Sequence, residues 1–199
     1  MIVALLLAQA SAVDAERAFA ADAWKLGQWT AFRKWATEDA TMFWPQPVRA
    51  QEKLKTLTDP PKSVEWKPAL SFVSCDGTTA ANTGPWRQPD GSVGYFSTIW
   101  VKQPGGGWKW TVDGGDAVKT PRFDWNAEPE VLRASCEGRP APAPVEVFTD
   151  IPNDHGRSED GTLAWQWTIT DDGVRNFRVA FWNGRKWNWV INDRIAAQP

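Results

Sequence analysis

Carboxylates at the ends of predicted strands have the best setting for catalysis in this sequence. Asp113 ends the predicted strand "WKWTVD", where a carboxylate beside a bound water could act as a general base. Alternation along the strand places Asp113 on the face opposite Trp110 and Val112, which directs it away from an apolar pocket. Asp76 and Asp116 lie in predicted turns, where aspartate commonly bonds to the local backbone. Asp113 is therefore the catalytic candidate, and a polar residue at a strand end is the alternative.

Metal and cofactor chemistry has little support. The one histidine, His155, lies in "NDHGR", which we predict to be a solvated polar loop. A single imidazole is too few for a histidine-rich zinc or haem site, so we expect no metal and no cofactor. The 22 basic and 24 acidic residues form no run of either sign, which disfavours nucleic acid as a partner.

The two cysteines, Cys75 in "VSCDG" and Cys136 in "ASCEG", are too far apart in sequence for a CxxC motif. Neither has a histidine nearby to act as a base, so a catalytic thiol is disfavoured. In an oxidising compartment the two are expected to form a disulfide, which would tie the following linker to the main domain. Two buried free thiols are the alternative.

Residues 1–12, "MIVALLLAQASA", predict a signal peptide and export to the bacterial periplasm. An apolar run, residues 2–8, precedes Ala10-Ser11-Ala12, a small-x-small cleavage pattern. The run is shorter than usual and has no basic residue before it. Alternatively, Ser11 and Asp14 form a capping box at the start of a helix, which cleavage after Ala12 would remove. No other apolar run approaches the ~20 residues of a membrane span.

Helical periodicity comes before strand periodicity along the chain. Apolar spacing predicts a first helix over residues 14–26, ended by Gly27, and a second over 29–36. A strand, "ATMFWP", and a third helix, "RAQEKLKTL", follow. Alternating apolar residues then predict four strands, at 64–74, 79–86, 93–102 and 108–113, joined by hairpin turns.

A linker rich in proline and alanine, residues 121–144, separates this domain, 13–120, from a C-terminal extension, 145–199. Strong turn signals in the extension predict an antiparallel β-meander. Its predicted strands are "VEVFTDI", "TLAWQWTIT", "VRNFRVAFW" and "KWNWVIND".

Pairs of the form Trp-x-Trp recur in three predicted strands. They are Trp108 and Trp110, Trp165 and Trp167, and Trp187 and Trp189. Alternation directs the members of each pair to one face, and it also places Ile191 on the face of Trp187 and Trp189. Aromatic pairs are ordinary stabilisers of sheets, so core packing is favoured over ligand contact for each ring.

The order of elements indicates an α+β fold and resembles the NTF2-like superfamily. The resemblance rests on "VDAERAFAADA", "EDATMFWP" and "GPWRQPDGSVGYFSTIWVKQPGGGWKWTVDGG", and is strongest to the SnoaL-like branch, which includes the DUF4440-type proteins. It implies a cone-shaped domain in which helices cover a curved antiparallel sheet and an apolar pocket opens at one end. It also implies a possible homodimer through the sheet.

Membership of this superfamily would not fix an activity, because it includes isomerases, cyclases, dehydratases, hydrolases and members without known activity. In the ketosteroid isomerases an aspartate base falls where this chain has Trp44, and a second acid falls near Thr98. Their helical tyrosine has no counterpart, since Tyr95 is the only tyrosine. The resemblance therefore does not carry the isomerase mechanism to this chain.

Three functions follow as hypotheses. The favoured one is a protein that binds a small apolar or aromatic molecule through Trp44, Phe96, Thr98 and Trp100. The second is a SnoaL-like hydrolase, dehydratase or isomerase that uses Asp113 and a bound water. The third is a cell-envelope module whose C-terminal tryptophans bind glycan or another protein.

Overall fold

The computed structural model describes residues 10–138, 140–146 and 148–197. The apolar run of the predicted signal peptide lies outside these residues. Three helices are present: α1 (Ala12–Leu26), α2 (Gln28–Trp35) and α3 (Ala50–Leu54). They match the three predicted helices, although α3 is shorter than "RAQEKLKTL". No helix in the described ranges is long and apolar enough to cross a membrane.

A capping box starts α1. The Ser11 hydroxyl accepts from the Asp14 amide (3.1 Å), and the Ser11 amide donates to the Asp14 carboxylate (2.9 Å). Ala12 is buried, and its carbonyl accepts from the Asn82 side chain (2.9 Å). The capping-box alternative is therefore confirmed for the full chain, whereas cleavage after Ala12 stays a prediction.

The main sheet has eight strands. They are β1 (Ala36–Trp44), β2 (Gln46–Arg49), β3 (Glu65–Trp66), β4 (Leu70–Val73), β5 (Thr79–Arg87), β6 (Val93–Lys102), β7 (Trp108–Ala117) and β8 (Glu130–Arg133). Their order is β2-β1-β7-β6-β5-β4-β8, with β3 also paired to β5. The β1–β7 and β4–β8 pairs are parallel and the others antiparallel. Helices over such a sheet confirm the predicted α+β class.

Three parts of this sheet differ from prediction. The strand β2 was not predicted; it follows Pro45 and pairs antiparallel with β1. The strand expected at 64–74 is divided into β3 and β4 around Pro68, which has no amide hydrogen to donate to a ladder. In addition, β8 lies within the predicted linker, where it pairs in parallel with β4. The predicted disulfide is confirmed, since Cys75 after β4 is bonded to Cys136 after β8.

A second, antiparallel sheet contains β9 (Asn153–Arg157), β10 (Leu163–Ile169), β11 (Arg175–Trp182) and β12 (Trp187–Ile195), in the order β12-β11-β10-β9. The prediction of a strand at "VEVFTDI" is wrong, because residues 145–146 and 148–151 are not in a strand; Val147 lies outside the described residues. Instead β9 pairs with β10, placing exposed His155 on an edge strand and not in a loop. Gly156 permits this pairing, because a Cβ there would lie 2.6 Å from the Trp165 ring.

The second sheet packs on the face of the main sheet that points away from the helices. The buried residues shared by the two sheets are Phe72, Ala81, Ile99, Val112, Leu163, Trp165, Trp167, Ile169, Phe177, Val179 and Ile191. The main sheet is thus apolar on both faces. A homodimer through the sheet stays a prediction, but this face is covered within one chain.

Two β-bulges change which side chains share a face. Between β6 and β7, Ile99 pairs with Val112 while Trp100 pairs with Trp110, so Thr111 is an extra residue. Trp108 and Trp110 accordingly pack against the helices, as predicted for this pair, whereas Val112 packs between the sheets.

The second bulge lies at Val190, because Val179 pairs with Ile191 while Ala180 pairs with Trp189. Ile191 is buried between the sheets, but Trp189 lies on the opposite face with 43% of its surface exposed. The prediction that Ile191 shares a face with Trp187 and Trp189 is therefore wrong.

Candidate functional site

A cavity of about 780 Å³ opens between the helices and the main sheet. Eight aromatic side chains line it: Phe19, Trp29, Phe32, Phe43, Trp44, Trp66, Trp86 and Phe96. The remaining lining residues are Gln28, Met42, Pro45, Val64, Gln88, Asp113, Gly114, Gly115, Asp116, Ala117 and Arg175. Its size and its apolar wall with few polar groups are typical of a small-molecule site.

The aromatic wall is held by edge-to-face contacts between rings. Phe19 lies 4.8 Å from both Phe32 and Trp66, measured between ring centroids. Trp29 packs against Trp44 at 5.4 Å, and Trp44 remains 42% exposed at the mouth of the cavity. These contacts fix the ring orientations without filling the space between them.

Asp113 faces this cavity. The Thr98 hydroxyl donates to its carboxylate (Oγ1 to Oδ1, 2.6 Å). Burial raises the pKa of Asp113 to about 6, against the opposing effects of the Thr98 hydrogen bond and the charge of Arg175. The prediction that Asp113 points away from the pocket is wrong, because the bulge at Thr111 reverses the alternation beyond it.

Arg175 enters the cavity from β11 of the second sheet and was not predicted as a site residue. Its guanidinium donates to the Gly115 carbonyl (2.8 Å) and lies 4.1 Å from the centroid of the Phe43 ring. Only 9% of the residue is exposed. The sequence does hold a signal, since alternation puts Arg175 on the buried face with Phe177 and Val179.

Glu16 of α1 is a second buried charge that the sequence analysis missed. Its carboxylate accepts from the indole nitrogens of Trp66 (2.8 Å) and Trp100 (2.7 Å) and from the Asn82 amide (3.2 Å). Burial raises the pKa of Glu16 to about 7, despite these hydrogen bonds. A glutamate in the apolar stripe of α1 with Phe19 is the signal that could have found it.

The four residues predicted to bind a ligand are gathered around the cavity in two layers. Trp44 and Phe96 belong to its wall. Thr98 and Trp100 are fully buried behind the wall, where Thr98 donates to Asp113 and Trp100 donates to Glu16. Their part in ligand binding stays a prediction.

Most tryptophans of the C-terminal sheet lie in the core. Trp165 and Trp167 are buried between the sheets, on one face as predicted, and Trp167 packs against Phe43 (5.4 Å between centroids). Trp189 is the exposed one, with the Arg178 guanidinium 5.8 Å from its ring. Within the described part of the chain, no cluster of three or more His, Cys, Asp or Glu side chains could hold a metal ion.

No protein-family model matches this chain, and no curated protein matches it. Solved structures that are similar to it include the following two. A "putative ketosteroid isomerase" from Parabacteroides distasonis is 13% identical with a TM-score of 0.44, over 54% of this chain and 88% of its own. Another "putative ketosteroid isomerase", from Shewanella frigidimarina, is 16% identical with a TM-score of 0.41. The match covers 55% of this chain and 98% of the other. The reaction in those names is a statement about those two proteins.

Proposed function

We propose that this protein binds a small, mostly apolar or aromatic molecule in the cavity between its helices and its main sheet. The observation that carries the proposal is the lining itself: eight aromatic side chains around about 780 Å³, with very few charged groups. Large rings supply apolar contact area, and a few polar groups orient a ligand. Asp113, Asp116 and Arg175 supply those groups.

The setting of this activity is proposed to be outside the cytoplasm, in the bacterial periplasm. The Cys75–Cys136 disulfide supports this, because disulfides persist in oxidising compartments. The apolar residues 2–8 support it as well. Analysis of the mature protein from its native host by intact mass and cell fractionation tests the proposal, and a reduced cytoplasmic protein with residues 1–12 retained would contradict it.

A titration with 2-naphthol, a neutral aromatic probe, tests the binding function. Trp44→Ala is the informative variant because its ring stands at the mouth, and Trp189→Ala is a matched control since the two tryptophans are 42% and 43% exposed. We expect Trp44→Ala to weaken binding several-fold, as stacking on one ring contributes about 1 kcal/mol. Trp189→Ala should leave binding unchanged. Equal effects of the two substitutions, or no saturable binding, would contradict the proposal.

A second candidate function, a SnoaL-like hydrolase, dehydratase or isomerase, is supported by the carboxyl group of Asp113. It borders the cavity with a pKa raised to about 6, which suits a general base that activates a bound water near neutral pH. The test is turnover of an aryl epoxide, a β-hydroxy ketone and a β,γ-unsaturated ketone. Activity should increase with pH through about 6 and be lost in Asp113→Asn but retained in Asp90→Asn, a substitution in an exposed turn outside the cavity. Equal turnover by wild type and Asp113→Asn would remove this candidate.

A further inference from the structure

Arg175 is a buried cation with most of its hydrogen-bonding capacity unused. A guanidinium has five N–H donors, whereas Arg175 makes one hydrogen bond in the described structure, to the Gly115 carbonyl (2.8 Å). Charged side chains are rarely buried to this extent unless they are paired. The residue is nine-tenths buried and borders the cavity. Arg175 therefore brings a charged group with unused donors to the wall of the cavity.

No carboxylate of the described residues forms an ion pair with Arg175. The ion pairs within 4.0 Å join other residues. Asp193, the buried carboxylate of the second sheet, is occupied by Arg122 (2.6 Å) and by the Ser97 hydroxyl (2.7 Å). Asp113 is bonded to Thr98, and the Asp116 carboxylate accepts from the backbone amide of Ala117. Arg175 thus has no carboxylate in direct contact, and the charges of Asp116, Asp113 and Asp193 act on it only from beyond 4.0 Å.

The backbone and the aromatic wall hold this guanidinium in one orientation. The Phe43 ring lies under it at 4.1 Å from the ring centroid, and the Gly115 carbonyl fixes one of its nitrogens. Gly115 itself is held close to β6, since a Cβ on it would come within 2.1 Å of the Tyr95 carbonyl. A planar guanidinium held in this way suits two-point recognition of an oxyanion.

We propose that Arg175 determines the class of ligand, namely a small aromatic molecule that carries a carboxylate or a similar planar oxyanion. The aromatic body lies among the tryptophan and phenylalanine rings, and the oxyanion binds the free donors of Arg175. This inference rests on the proposed binding function of the cavity. It assigns to the C-terminal sheet a part in ligand selection, in addition to its packing on the main sheet.

Paired probes of the same shape test the inference. Calorimetric titration of the full chain compares 2-naphthoate with 2-naphthamide, which differ in charge, and with 2-naphthylmethylamine, which is a cation. Wild-type protein should bind 2-naphthoate at least about 10-fold more tightly than 2-naphthamide, as expected for hydrogen bonds to a charged group. Arg175→Met should abolish that preference with little change for 2-naphthamide. Arg178→Met is the matched control, because Arg178 lies on the opposite face of the same strand.

The possible outcomes are distinct. Equal binding of 2-naphthoate and 2-naphthamide by wild type, or a preference that survives Arg175→Met, would overturn the role of Arg175 while leaving the binding function in place. Tighter binding of 2-naphthylmethylamine than of 2-naphthoate would also overturn the role of Arg175, and it would indicate that Asp113 and Asp116 select a cation. Failure of 2-naphthol and all three of these probes to bind would overturn the binding function as well. If Arg175→Met does not fold, Arg175→Lys retains the charge without the planar fork and should reduce the preference several-fold.

Discussion

The two faces of the main sheet are both rich in aromatic residues, yet they are used differently. On one face, tryptophans and phenylalanines from the helices and strands surround an open cavity. On the other face, Trp165 and Trp167 are buried between the two sheets. A high tryptophan content therefore does not by itself indicate a binding site. The two faces differ in packing: the rings between the sheets are packed against the other sheet, whereas the rings under the helices border a cavity. We call these the closed face and the open face.

Buried acidic residues on the two faces of the main sheet also differ in their environment. The open face contains Glu16 and Asp113, whose pKa values are raised by burial to about 7 and about 6. Between the sheets, the Asp193 carboxylate is instead paired with Arg122 and accepts from Ser97. Arg175 connects the two regions, because it starts in the second sheet and ends in the cavity. We interpret the open face as the functional region and the closed face as its support.

Substitution of an aromatic residue in the closed face should have the largest effect on stability. Trp165→Ala removes a ring that is 92% buried, and we expect a loss of about 3 to 5 kcal/mol in the free energy of unfolding. Urea denaturation measures this loss, and binding of 2-naphthol should be unchanged in the folded variant. Loss of binding without loss of stability would reverse the assignment of the two faces.

Removal of the disulfide should weaken the closed face to a similar or slightly smaller extent. Cys75 and Cys136 are 61 residues apart, for which the chain-entropy model gives about 4 kcal/mol. The bond holds the strand β8 region against β4, and the Ser135 amide next to Cys136 donates to the Trp182 carbonyl of the second sheet (2.8 Å). The double variant Cys75→Ser, Cys136→Ser should therefore unfold at lower urea concentration. An unchanged denaturation midpoint would contradict this account of the bond.

The pH dependence of stability should come from the open face, with a smaller effect. The folded-state pKa values of Asp113 and Glu16 lie above their ordinary values of 3.8 and 4.5, so the folded protein binds more protons between about pH 4 and pH 7. Their stabilising contribution is fully present below their unfolded pKa values and is lost as pH rises through about 6 and 7. Urea denaturation at several pH values measures this, and Asp113→Asn should flatten the profile. Stability that increases through this range and is unaffected by Asp113→Asn would contradict it.

Much of the fold is predictable from the sequence because it depends on local patterns. The helical stripe of α1, the alternation of β5, β6, β10 and β11, and the cysteine pair all lead to the observed elements. The bulges at Thr111 and Val190 are not predictable in this way. A bulge shifts the pairing by one residue without changing the apolar character of the strand, and the orientation of Asp113 and Trp189 depends on that shift.

The candidate site was predictable only in part, for a related reason. Trp44, Phe96 and Asp113 could be named because each lies in a segment with a strong local pattern or a family resemblance. Arg175 comes from a segment 60 residues further along than Gly115, the residue it bonds to, so its position depends on how the two sheets pack. Glu16 is similar, since its partners Trp66 and Trp100 are distant in sequence. The sequence indicates these two site residues only in that each is a charged residue within the apolar stripe of its strand or helix.

A crystal structure of the protein with 2-naphthol tests the central claim most directly. The account predicts ordered ligand density in the cavity of the open face, with the naphthyl rings beside Trp29 and Trp44 and the hydroxyl directed towards Asp113. Binding between the two sheets, or on the exposed Trp189 surface with an empty cavity, would contradict the assignment of the open face as the functional region.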